Sequence, residues 1–237
     1  MSDDADPSVR RFHADRAAAY DARVREAIPG YEPLHFLACV IVAEITKGKG
    51  RALVVGAGTG VECVALAQSC PAMHVVGVDP SKDMLAHAER KVTAHHLTER
   101  VRLYPSKVAD LPKFEPFDAA TLLLVMHFLP DDGQKLQLLT EVAEHLKPGS
   151  PLVLADLFGS WDDDWQQQLR GWWRHLQLSA GIPEEDVDKG FRHVDRDIHP
   201  VTEARLAELM DQAGFDAPQP FFRALCFGGW VARKKDA

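Results

Sequence analysis

The sequence predicts an α/β fold: a mostly parallel sheet of seven strands with helices on both faces, helices ahead of it, and a helical insertion after the fifth strand. Three observations carry this. Strand-like and helix-like segments alternate from residue 51 to 158, the rhythm of βαβ units. A first apolar run, Ala52 to Val55, stops at a glycine corner, Gly56-Ala57-Gly58-Thr59-Gly60. A second run, Met73 to Val78, ends on a single carboxylate, Asp79.

Taken in order, residues 8–27 and 34–47 read as helices, separated by Ile28-Pro29-Gly30-Tyr31-Glu32-Pro33. Strands are expected at 51–56, 73–79, 101–105, 117–125 and 151–158, and helices at 60–69, 81–94 and 133–147. Ser81 is a suitable N-cap, and Pro148-Gly149 ends the third of these helices. Residues 159–200 break the rhythm and hold four of the five tryptophans, Trp161, Trp165, Trp172 and Trp173, at a spacing that allows one helical stripe. A helix at 202–213, stopped by Gly214, and strands at 219–226 and 228–234 complete the chain. It reads as one domain over 1–237, with 1–50 as an N-terminal helical cap and 159–200 as a helical insertion serving as cap or dimer contact.

At 237 residues the chain can bury a full core. Its net charge of −8, with no lysine or arginine block, argues against direct nucleic-acid binding. Cys39, Cys63, Cys70 and Cys226 show neither metal spacing nor disulfide rhythm, so reduced thiols and no metal are expected. The acidic start MSDDADPS is unlike a signal peptide, and Phe36 to Ala43 is too short to span a bilayer. A cytoplasmic protein without membrane contact is the expectation, with a small-molecule substrate and a possible homodimer.

The glycine corner and Asp79 together form a Rossmann-like nucleoside half-site. Glycines permit a sharp turn and close approach of backbone to a ligand, and a carboxylate at the tip of the second strand can accept hydrogen bonds from a ribose diol. The dinucleotide fingerprint would place a third small residue at Val61 and a basic group near the pyrophosphate; neither is present. A tight turn without ligand, with Asp79 merely capping the next helix, is the bland alternative. G-x-G-x-G with an acid 23 residues after the first glycine resembles the class I S-adenosylmethionine-dependent methyltransferases. That resemblance implies S-adenosylmethionine as cofactor and S-adenosylhomocysteine as product. It implies contacts from Gly56, Ala57, Gly58, Gly60, Asp79 and Pro80, from the adenine loop at Ser106, Lys107 and Val108, and from the fourth-strand tip at Leu123 and Leu124. Two departures stand out. Ser106-Lys107 replaces the acid usual in the adenine loop, and Val54 stands where many members carry an acid for the methionine amino group.

Further segments narrow the likeness. Tyr20-Asp21-Ala22-Arg23-Val24, Ile28-Pro29-Gly30-Tyr31 and Cys226-Phe227-Gly228-Gly229-Trp230-Val231-Ala232 resemble the carboxy-S-adenosylmethionine synthase family, which serves tRNA wobble-uridine modification. The resemblance implies Tyr31 and Arg192 as ligands of a cofactor carboxylate. Against it, that family's turn reads Gly-Cys-Ser-Leu-Gly. Its fourth-strand asparagine aligns with Leu123 here.

The expected activity is methyl transfer to a small-molecule acceptor. A synthase-like enzyme using carboxy-S-adenosylmethionine and a non-catalytic cofactor-binding or interaction protein are the alternatives. His127, His193 and Asp156 are the candidate catalytic groups, with His199 as a further candidate base; packing or local pairing is the competing reading for each histidine.

Overall fold

The computed structural model describes residues 14–236; residues 8–13 of the first expected helix lie outside the described residues. Two helices lead, α1 (Ala14–Ala27) and α2 (Tyr31–Thr46). Helix α2 begins three residues earlier than the expected 34–47. Pro33 misleads here: the first four N–H groups of a helix have no intrahelical acceptor, so a proline in the first turn loses nothing. Gly30, at φ +72°, turns the corner, where a Cβ would lie 2.8 Å from the Phe222 ring.

The strands β1 (Lys49–Val55), β2 (Ala72–Val78), β3 (Val101–Tyr104), β4 (Ala119–Leu123), β5 (Pro151–Leu157), β6 (Gln219–Ala224) and β7 (Phe227–Arg233) form one sheet in the order β3-β2-β1-β4-β5-β7-β6. Pairing from β3 to β5 is parallel, and β7 is antiparallel to both its neighbours. The helices α3 (Val61–Ser69), α4 (Lys82–Ala94), α5 (Gln134–His145) and α8 (Glu203–Gln212) cross between strands. The chain runs outward from β1 to β3, then returns to place β4 on the other side of β1. That reversal opens a crevice at the carboxyl ends of β1 and β4, where ligands collect in such sheets.

Side chains alternate across each strand, so Leu53 and Val55 join α5 and α8 in one apolar layer while Ala52 and Val54 join α2, α3 and α4 in the other. β5 is buried along its whole length, as a strand covered on both faces must be. The four cysteines are buried free thiols. Among the described residues, no single helix is long and apolar enough to cross a membrane.

The insertion folds as two helices, α6 (Asp164–Ser179) and α7 (Glu184–Asp197). The tryptophans do not form one stripe. Trp165 and Trp172, seven residues apart, share the outer face and are 54% and 51% exposed. Trp173 lies about 100° further round and is buried against Phe227 and Phe191. Its indole N–H donates to the Ala27 carbonyl at 2.6 Å, tying α6 to the end of α1.

Candidate active site

The crevice is a cavity of about 570 Å³, a size ordinary for small-molecule sites. The last residues of β1, β2 and β4, Val55, Val78 and Leu123, all line it. The glycine corner forms its floor. Gly56 and Ala57 N–H groups both donate to the Val78 carbonyl, at 2.9 and 3.0 Å, which pins the turn to β2.

The three glycines serve different ends. Gly56, at φ +70°, packs under Val125, whose Cγ2 would lie 2.2 Å from an added Cβ. Gly56→Ala combines a left-handed backbone with overpacking, and we expect a stability loss of about 2–4 kcal/mol by chemical denaturation. Gly58 has room: a Cβ there would meet nothing closer than Met84 Cε at 3.5 Å, so its bare backbone faces the cavity. Gly60, expected among the cofactor contacts, does not line the cavity; a Cβ there would meet Ala88 at 2.7 Å, so it lets α3 pack on α4.

Asp79 is held from both sides. Its Oδ2 accepts from Gly58 N–H and its Oδ1 from Ser81 N–H, each at 2.8 Å. Burial pushes its carboxyl above the usual range, and these two donors oppose that. Ser81 also caps α4, its hydroxyl accepting from Met84 N–H at 3.3 Å. Pro80, Ser106, Lys107 and Val108 continue this wall, and the buried Ser106 hydroxyl has no hydrogen-bond partner. Across the floor, Leu123 and Leu124 line the cavity; Leu124 adopts φ +60° and donates its N–H to the Ala155 carbonyl at 2.7 Å.

The N-terminal helices supply the third wall through Tyr20, Tyr31 and His35. Helix α1 is tied over the corner by Asp21, which accepts from the Thr59 hydroxyl and pairs with Lys91 of α4. Burial pushes the Tyr20 hydroxyl up to about 12 and drives the His35 imidazole down to about 4, so His35 is neutral at physiological pH. Tyr31, expected here, packs against His35 with ring centroids 4.3 Å apart.

Several other expected residues are elsewhere. His127 and Asp156 do not line the cavity: His127 Nδ1 pairs with Asp156 Oδ1 in a buried contact behind the loop that follows β4. His193 and Arg192 sit on α7, which contributes no lining residue; His193 is paired with Asp197 at 2.7 Å and Arg192 is exposed. The orientation of α7 follows from packing on Trp173, which residue spacing does not reveal. His199 does line the cavity, its N–H donating to the His127 carbonyl at 2.8 Å.

Glu62 is a lining residue outside the set that the sequence motifs pick out. It lies in the first turn of α3, is 6% exposed, and lines the cavity. Burial pushes its carboxyl up to about 7, opposed by the neighbouring Thr121 hydroxyl. The signal in the sequence is a lone acid among the apolar residues of Val61-Glu62-Cys63-Val64-Ala65-Leu66. An acid whose folded pKa is raised contributes stability that is present below its unfolded value and lost as pH rises through the folded one. We therefore expect the unliganded protein to lose on the order of 3 kcal/mol from Glu62 between about pH 5 and pH 8. Glu62→Gln should remove most of that slope in denaturation midpoints.

Residues 52–149 match the profile of the methyltransferase-domain family. Among solved structures, the Burkholderia thailandensis 1,6-didemethyltoxoflavin-N1-methyltransferase, with bound 1,6-didemethyltoxoflavin and S-adenosylhomocysteine, superposes with TM-score 0.62 at 20% identity. The match covers 97% of this chain and 88% of that one. The S-adenosylmethionine-dependent methyltransferase SibL in its apo form gives TM-score 0.62 at 19% identity over 87% of this chain; the chain spans only 57% of SibL. The class of fold follows: it is the fold of S-adenosylmethionine-dependent methyltransferases, and residues 52–149 are the part that matches the methyltransferase-domain profile. Within that class, the chain is 23% identical over 227 residues to the carboxy-S-adenosyl-L-methionine synthase of Pseudomonas entomophila (strain L48), an alignment covering 93% of this chain and 91% of that one.

Proposed function

We propose that the protein transfers a methyl group from S-adenosylmethionine to a small-molecule acceptor. The observation that carries this is Asp79, fixed by Gly58 and Ser81 N–H groups at the rim of a cavity at the sheet's reversal point. Each of its oxygens keeps a lone pair for a ribose hydroxyl. The cavity fits the cofactor in other respects: the open face of Gly58 admits close approach, and the unpartnered Ser106 hydroxyl offers the adenine a hydrogen-bonding group in place of the usual acid. S-adenosylmethionine, when bound, supplies an already activated methyl on a sulfonium. The chain's own contribution is alignment of the acceptor with that methyl and exclusion of water. Leu123, Leu124 and Phe128 make an apolar wall for this purpose, and His199 is the exposed imidazole on the cavity.

Calorimetry with S-adenosylmethionine and S-adenosylhomocysteine tests the reading: micromolar binding of both is expected, and binding of neither at high micromolar concentration removes it. A synthase-like enzyme is the second reading, favoured by the full-length likeness to carboxy-S-adenosyl-L-methionine synthase and by Tyr31 on the cavity. The charge of the wall argues against it. Glu62 lines the cavity, and among the described residues Lys107 lines it but no arginine does. The mass of any copurified small molecule separates the two readings. A cytoplasmic location and a homodimer belong to the proposal. The exposed Trp165–Trp172 pair, in edge-to-face contact at 5.4 Å, is the surface a dimer would cover. A monomer mass by light scattering would remove the dimer.

A further inference from the structure

The geometry points to Glu62 as the carboxylate that takes the α-ammonium of the cofactor, filling from α3 the role that Val54 cannot fill from β1. This inference rests on the methyltransferase reading. Val54 is fully buried in the layer beneath α2 and α3, and its register partner on β4 is Thr121. Glu62 lies beside that same Thr121. An acid is thus returned to the level of Val54, delivered from the helix rather than the strand.

Its surroundings call for a cation. Glu62 is on the cavity wall, Oε1 has no hydrogen-bond partner, and no cationic side chain is paired with it among the described residues. The titratable groups that feel its charge are Tyr31 and Cys39 of α2 and Cys63 of α3, all pushed up by burial and none a cation, and the imidazole of His35 on the same cavity is pushed down by burial and neutral at neutral pH. A buried acid without a counter-charge is costly, and a ligand cation that completes the pair recovers that cost. S-adenosylmethionine carries two cations. The ammonium has N–H donors that match an acceptor-only carboxylate; the sulfonium has none.

Calorimetry on wild type, Glu62→Gln and Glu62→Asp with three ligands tests this. S-adenosylmethionine has both cations, S-adenosylhomocysteine keeps only the ammonium, and 5′-methylthioadenosine lacks the amino-acid arm. We expect Glu62→Gln to weaken the first two alike, by about 10- to 100-fold, and to leave methylthioadenosine unchanged. Glu62→Asp should recover part of the loss. A loss confined to S-adenosylmethionine would place the carboxylate at the sulfonium and overturn the assignment. Equal loss for all three would make Glu62 structural, and no loss for any would remove it from the site; either result overturns the assignment. A wild type that binds none of the three takes down the methyltransferase reading together with this one. The unliganded Gln variant should melt no lower than wild type, and Glu62→Asp, which keeps the charge, carries the test if it does.

Discussion

Asp79→Ala is expected to raise the dissociation constant for S-adenosylhomocysteine by about 10²–10⁴-fold. A hydrogen bond to a charged acceptor contributes about 1.5–3 kcal/mol, and a ribose diol makes two of them, so with about 1.4 kcal/mol per tenfold the loss spans that range. A second effect adds to the first. Asp79 holds the Gly58 and Ser81 N–H groups on its two oxygens, and alanine releases both, loosening the turn that the ligand must approach. Asp79→Asn separates the contributions. The amide keeps one acceptor oxygen and loses the charge, so its affinity should fall between wild type and alanine. The unliganded fold should tolerate either change. Burial already disfavours the ionised carboxyl, so its removal should shift the melting temperature by no more than a few degrees. Calorimetry near pH 7.5 decides it: an unchanged dissociation constant in Asp79→Ala would mean that the ribose is bound elsewhere.

This corner was the most legible part of the chain. Glycines at positive φ and an acid ending the next strand are local requirements, and Gly56, Gly58 and Asp79 carry them in a window of 24 residues. The mostly parallel sheet followed from the alternation of strands and helices, and the capping role of Ser81 from its residue type. What escaped depends on contacts between distant segments. Gly60 reads as a third ligand contact until Ala88 of α4 is seen to press on it. Arg192 is implied by the synthase-family resemblance and His193 is a candidate base by residue type, but α7 turns both away from the cavity. Glu62 reads as an acid suited to a helix N-terminus, a role that needs no cavity. Only the packing of α2 over α3 buries it and makes it a wall. His127 and Asp156 stand apart in the sequence, one after the fourth strand and one at the tip of the fifth. Their pairing requires that β4 and β5 be neighbours, which the βαβ rhythm allows but does not dictate.

That pair is where the largest loss of stability is expected. Asp156→Ala should cost about 3–5 kcal/mol, the range for removing a buried carboxylate from the donors packed around it. At about 2–4 °C per kcal/mol for a chain of this size, the melting temperature should fall by roughly 10 °C. Asp156 is 2% exposed, and its carboxylate accepts the His127 and Leu157 N–H groups at 2.8 Å each besides pairing with the His127 ring. Lys135 of α5 is fully buried in the same region, its Nζ donating to the Met126 carbonyl at 2.7 Å. Burial pulls the Lys135 ammonium below its usual range, and Asp156 is the first of two carboxylates that hold it up. Alanine at 156 therefore leaves two N–H groups without their acceptor and the buried ammonium with only Asp131 to hold it up. Ligand affinity should fall as a consequence, because Leu124, Val125 and Phe128 in the adjoining loop line the cavity. Asp156→Asn keeps one acceptor and should lose about half as much, which supplies a folded variant if alanine is too severe. A double-mutant cycle with His127→Ala in denaturant then isolates the ring contact. A coupling near zero would mean that the carboxylate acts through the backbone N–H groups alone, and that His127 is held in place by Phe128, with ring centroids 4.2 Å apart, rather than by Asp156.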